Sequence, residues 1–229
     1  MSRLGISAAL AAVVVLGGAS IAAASPPTYD WSGVYFGLGA GYGWGSTTVT
    51  PTGTPGGFSE QPMSPTGALG NLEIDVEKQS NWAVFGVAGD VSLGNLHRNS
   101  LWSESDSTNP WTSNTSLLAS LRARAGVSLG AFLPYVTGGL AYQDTNVLWT
   151  YEGGPTTTTR LNSLGWVLGA GLQVALSNGW SLQGEYDYSS FGNVTDANME
   201  FDDEGPVYGG TIHDNVSIVK FTLKHKFGP

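Results

Sequence analysis

The chain has 229 residues, of which only 12% are charged, with 33 glycines, no cysteine and a net charge of −9. The lack of cysteine excludes disulfides and thiolate chemistry, and the acidic balance argues against a nucleic-acid partner. No apolar run of about 18 residues follows the N-terminal segment, which argues against a helical membrane protein.

In chain order, Arg3, the apolar stretch 8–16 and the small residues Ala22, Ala23 and Ala24 have the layout of an export signal. Residues 1–24 are therefore expected to be a signal peptide and 25–229 a single domain. The first strand is predicted at 32–46. Val34, Phe36, Leu38, Ala40, Tyr42 and Trp44 take one face, and Gly37, Gly39, Gly41 and Gly43 take the other. A period of two with one apolar and one nearly empty face predicts a strand between lipid and a cramped interior. Residues 47–65 are rich in Thr, Pro and Gly and predict a long loop.

The second strand, 67–78, sets Ala68, Leu72, Ile74 and Val76 against Asn71, Glu73, Asp75 and Glu77. A tight turn at 79–81 leads to a third strand, 82–94, with Asp90 on its polar face. Residues 97–114 are polar and predict a second long loop. The fourth strand, 116–129, opposes Leu117, Ala119, Leu121 and Ala123 to Ser120, Arg122, Arg124 and Ser128. After a short turn the fifth strand is expected at 134–145, then a long loop at 146–162 and a sixth strand at 163–176. Ser177-Asn178-Gly179 is a hairpin signal. The seventh strand, 180–191, carries Gln183, Glu185 and Asp187 on its polar face. An acidic loop at 192–215 precedes the eighth strand, 216–227, whose polar face holds Lys220, Thr222, Lys224 and Lys226.

Eight strands joined by alternating long and short connections predict an all-β, antiparallel up-and-down barrel. A water-soluble lipocalin-like barrel is the alternative. It fits less well, because the polar face is too sparse for a solvated exterior. Aromatic residues also gather at strand ends, as at the two interfaces of a bilayer. Trp31, Tyr35, Trp82, Phe132, Tyr135, Trp180 and Phe227 are expected at the tight-turn rim, and Trp44, Tyr142, Trp166 and Tyr188 at the long-loop rim.

A transmembrane barrel turns its polar face inward. The predicted interior network sets Glu73, Asp75, Glu77, Asp90, Glu185 and Asp187 against Arg122, Arg124, Lys220 and Lys224, with Glu185 and Asp187 meeting Lys220 and Lys224 across neighbouring strands. Such a network either plugs the barrel or lines a narrow ion path.

Several blocks resemble a known family: Trp31 to Tyr35 leading into Gly39 to Gly45, Leu133-Pro134-Tyr135 through Tyr142, Gly179 to Tyr186, and Val219 to Phe227. Together they are similar to the small porin-like outer-membrane proteins of alphaproteobacteria, the outer-membrane immunogenic and haemin-binding surface proteins. The resemblance implies an integral barrel of the bacterial outer membrane, seated in its lipid bilayer, inserted by the outer-membrane assembly machinery, with exposed loops; it does not imply an enzyme. Relatives end on an aromatic assembly signal; here Phe227 is followed by Gly228 and Pro229.

Other motifs carry less. Gly37-Leu38-Gly39-Ala40-Gly41 has period two and opens no helix, so it is not a dinucleotide fingerprint. His97 and His213 fall in or near long loops and are candidates for a haem or metal site. Asp202, Asp203 and Glu204 make a solvated acidic loop or a cation site. No nucleophile and base stand at a telling spacing, and no cofactor is expected. Three functions remain: an envelope-structural barrel with displayed loops, a narrow pore for small solutes, and a surface binder of haem or host molecules.

Overall fold

The structure is a computed structural model and describes residues 29–52, 61–104, 107–150, 156–199 and 208–227; the expected signal peptide and Asp202, Asp203 and Glu204 lie outside them. The strands are β1 (Gly33–Thr52), β2 (Gln61–Met63), β3 (Thr66–Ser80), β4 (Ala83–Glu104), β5 (Ser107–Val127), β6 (Phe132–Thr150), β7 (Thr156–Ala175), β8 (Trp180–Met199) and β9 (Tyr208–Phe227). They form one antiparallel sheet in the order β2-β1-β3-β4-β5-β6-β7-β8-β9, and β1 also pairs with β9. That last pairing, from Val34↔Phe227 to Thr52↔Gly209, closes eight strands into a barrel, with β2 a short addition to β1.

The wall alternates as the sequence predicts. β3 exposes every even side chain from Thr66 and buries every odd one from Leu69 to Glu77. Outward stand Leu38, Leu72, Leu121, Leu140, Leu168 and Phe221, each more than half exposed. So large a continuous apolar surface would drive aggregation in water; against hydrocarbon it is the contact surface. The glycine row of β1 has a further cause. A Cβ on Gly41 would lie 2.7 Å from the Val219 carbonyl and 3.1 Å from Lys220 Cγ, and one on Gly37 would lie 3.1 Å from Lys224 Cγ. The side chains of β9 lean across the bare backbone of β1.

Tight turns close one rim. Asn178 and Gly179 both take positive φ, 57° and 78°, as a two-residue type I′ hairpin requires. The Trp180 amide donates to the Ser177 carbonyl at 3.2 Å.

Two expectations are corrected. The predicted long loops at 97–114, 146–162 and 192–215 are largely strand. Pairing continues to Glu104↔Ser107, Thr150↔Thr156 and Met199↔Tyr208, so the wall rises well past the hydrocarbon as extended hairpins. Their polar, Thr-rich composition resembled loops because in water neither face of a strand must be apolar. The loop at 47–65 gives way to the end of β1 and to β2, and its residues 53–60 lie outside the described part. The tight-turn aromatic belt is also smaller than predicted. Trp82, Phe132, Trp180 and Phe227 face outward, but Trp31, Tyr35 and Tyr135 are buried inside the barrel.

Gly139 tests the packing. A Cβ there would meet the Leu121 carbonyl and come within 2.7 Å of Arg122 Cα, whereas one on lipid-facing Gly184 would find the Phe221 ring at 3.4 Å. Gly139→Val should cost about 1–3 kcal/mol through overpacking, and Gly184→Ala should cost little. The folded fraction of each, read from heat-modifiable gel mobility after refolding into detergent, checks the contrast.

Candidate functional site

The inward positions of β3, β4, β5, β8 and β9 converge at one level of the barrel. Two arginines two residues apart on β5 point the same way and organise it. Arg122 Nη1 donates to Glu185 Oε1 at 2.7 Å and Asp187 Oδ1 at 2.9 Å, and its Nη2 donates to Asp90 Oδ1 at 2.7 Å. Lys220 Nζ reinforces the cluster at 2.8 Å from Asp187 and 3.1 Å from Glu185. The Ser120 hydroxyl donates to Asp90.

Nearer the tight turns, Arg124 donates to Glu77 at 2.7 Å and to Glu73 and Gln183, both at 3.0 Å. Its guanidinium lies 4.0 Å over the Tyr135 ring. The Tyr135 hydroxyl donates to Glu185 at 2.6 Å, which joins the two clusters. Lys224 Nζ stands 3.1 Å from Glu73 and 2.5 Å from Asp75.

All ten predicted charged residues therefore meet in one buried layer. The expected pairing is corrected in one respect. Glu185 and Asp187 meet Lys220, but Lys224 turns to Glu73 and Asp75 on β3, reached across the glycines of β1. Sequence reasoning missed Tyr135 as a member; its parity, opposite that of Val136 and Leu140, was the available signal. Six carboxylates face four cations, and Asp75 Oδ1 and Glu77 Oε2 accept no hydrogen bond from the protein.

Apolar layers lie on both sides of these charges. Toward the hairpins, Leu69, Leu96, Leu118, Val167, Phe191, Val216 and Ile218 fill the interior. Toward the tight turns, Trp31, Val84, Leu133 and Tyr135 do so. Trp31 is anchored there: its amide donates to Gln79 Oε1 at 2.8 Å, its indole to the Gly130 carbonyl at 3.3 Å, and its carbonyl accepts from the Tyr35 hydroxyl at 2.9 Å. Just before β1, the Ser32 amide donates to Asp30 at 2.9 Å and holds that carboxyl below its ordinary range. The upper layer left a sequence signal, since the alternation breaks into apolar neighbours at Leu117-Leu118, Val167-Leu168 and Ile218-Val219.

The candidate histidine pair is not brought together. His97 lies on β4 opposite Thr66, and His213 lies on β9 opposite Thr48. β1 and β3 stand between them, about 14 Å at the usual strand spacing. Among the described residues no group of three or more metal-ligating side chains is assembled.

A closed sheet with an apolar exterior and a charged interior defines an integral outer-membrane β-barrel. The chain belongs to the outer membrane protein beta-barrel domain family, whose model matches residues 9–213. It is 29% identical over 167 residues to the 25 kDa outer-membrane immunogenic protein of Brucella abortus, covering 73% of this chain and 68% of that one. It is 28% identical over 230 residues to the 31 kDa outer-membrane immunogenic protein of Brucella melitensis, covering 85% and 87%. Among solved structures, the outer membrane protein OprG of Pseudomonas aeruginosa aligns with a TM-score of 0.52 at 13% identity, covering 88% of this chain and all of that one. The outer membrane protease OmpT of Escherichia coli aligns with a TM-score of 0.51 at 8% identity, covering 89% and 99%. At these identities the structural likeness is one of fold. The protein resides in the bacterial outer membrane, embedded in its lipid bilayer.

Removing one partner of a buried ion pair strands the others. Arg122→Ala leaves Asp90 and Asp187 with Lys220 as their cation and should cost about 3–5 kcal/mol. Tyr135→Phe removes one hydrogen bond to a charged group and should cost about 1–3 kcal/mol. Urea unfolding in lipid vesicles, followed by tryptophan fluorescence, measures both; an unchanged midpoint for Arg122→Ala would contradict a structural role for the layer.

Proposed function

We propose that the protein is a plugged, non-enzymatic barrel that reinforces the outer membrane and holds its extended hairpins at the cell surface. One observation carries this reading: the buried charge layer is covered by side chains on both sides. A hydrated path through the lumen would have to cross the Leu69–Phe191–Ile218 layer and the Trp31–Leu133 layer. Both are built mainly of apolar side chains, which replace little of an ion's hydration. The charges then act as a lock between β3, β4, β5, β8 and β9, strands far apart in sequence. The Ser120 hydroxyl meets the Asp90 carboxylate inside the packed charge layer, where Arg122 already holds that carboxylate, and the likeness to a protease is confined to fold.

A second reading, a narrow cation path, draws support from the excess of two carboxylates and from the oxygens of Asp75 and Glu77 that accept no hydrogen bond. Planar-bilayer recordings separate the two. The plugged reading expects no discrete steps once insertion is verified. Reproducible unit steps would make transport the working function.

Assembly is expected to use the outer-membrane insertion machinery, with residues 1–24 as the export signal and Phe227 as the recognition residue. Phe227 is half exposed on the outer face and packs against Phe36, ring centroids 5.4 Å apart. Phe227→Ala should lower the membrane-inserted fraction severalfold in cells. Refolding of the same variant in detergent should change far less, which separates recognition from stability.

A further inference from the structure

Beyond the membrane the barrel wall divides. β7 and β8 pair from Ala175↔Ser181 to Gly165↔Phe191, and among the described residues no pair continues the ladder. Both strands nevertheless run on. β7 stays paired to β6 as far as Thr150↔Thr156, without a register shift. β8 stays paired to β9 as far as Met199↔Tyr208.

The cause lies in β8. Its register against β9 shifts between Phe191 and Val194, and again between Asp196 and Met199. A bulge bends its strand and increases the local twist. The first bulge falls where pairing with β7 stops, so the β8–β9 hairpin leaves the β6–β7 hairpin and a gap opens between them.

The two edges of this gap are not alike. The edge of β8 is blunted by its bulges, a usual protection against unwanted pairing. That of β7, residues 156–164, is less protected: it contains no proline, no glycine and no bulge. It carries four threonines in succession and one charge, Arg160. In a strand, alternate residues direct their N–H and C=O to opposite sides. Half of these groups are taken by β6, and the other half face the gap.

Charge indicates the occupant. Between Ser189 and Val219 the described residues include Asp196 and Asp214 and no lysine or arginine, in a chain of net charge −9. A second copy of this chain would bring an equally acidic hairpin to the same edge, and like charge suppresses that pairing.

We propose that the free edge of β7 is a docking site for an extended, lysine- or arginine-bearing polypeptide segment, which adds antiparallel to β7 in the gap beside β8. Ladder hydrogen bonds supply affinity, and the acidic β8–β9 hairpin selects for positive charge. The site lies outside the membrane span and does not depend on whether the lumen conducts.

The test uses the full chain folded into lipid nanodiscs and hydrogen–deuterium exchange of residues 156–164. The probe is a peptide of about ten residues alternating threonine and lysine. Controls are the same peptide N-methylated at alternate residues and a version with glutamate for lysine. Without peptide, alternate amides of 156–164 should exchange freely. The threonine–lysine peptide should slow them about tenfold or more, while neither control should. Four results would overturn the proposal: every amide of 156–164 already protected without peptide, no slowing by the lysine peptide, equal slowing by the N-methylated peptide, or protection that grows with protein concentration alone. The last would assign the edge to a second copy of the chain.

Discussion

Hydrocarbon offers no hydrogen-bond partner, so every backbone N–H and C=O within the bilayer must be paired inside the protein. A sheet meets that demand only by closing on itself. The pairing of β1 with β9, which joins the two ends of the described chain, is therefore the contact on which the rest depends. It also fixes which face is which. Once the sheet is closed in lipid, alternation sends apolar residues outward and leaves polar ones no place but the interior.

That interior is too narrow for water to solvate a row of charges. Arg122 and Arg124 answer this by each meeting several carboxylates, and Tyr135 links their clusters through Glu185. The glycines of β1 belong to the same solution, since their missing side chains let Lys220 and Lys224 lie across the wall. The apolar layers on either side exclude water from the charges. Burial raises the cost of an unpaired charge, so the same arrangement that strengthens the network makes it intolerant of losing a member.

Above the bilayer the constraint relaxes. Water satisfies an unpaired edge, so the wall no longer has to stay closed, and bulges in β8 can part it from β7. There the chain acquires surface for contacts with other molecules while the closed zone holds it in place. Rigidity and display are thus divided between two levels of the same strands.

The sequence by itself determined the fold class, the eight strand cores and the residues of the charge layer. Each follows from a period of two between lipid and interior, and that period is local. It did not reveal the extended hairpins, because polar strands in water carry no alternation to distinguish them from loops. It also placed Trp31, Tyr35 and Tyr135 in the outer belt, where composition favours aromatics, although their parity faces inward. Only the tertiary structure decided which acid meets which cation, as with Lys224 turning from Glu185 to Glu73 and Asp75. Those distances depend on strand register and on side chains crossing the lumen, and contacts between strands far apart in the chain leave no trace in its local pattern.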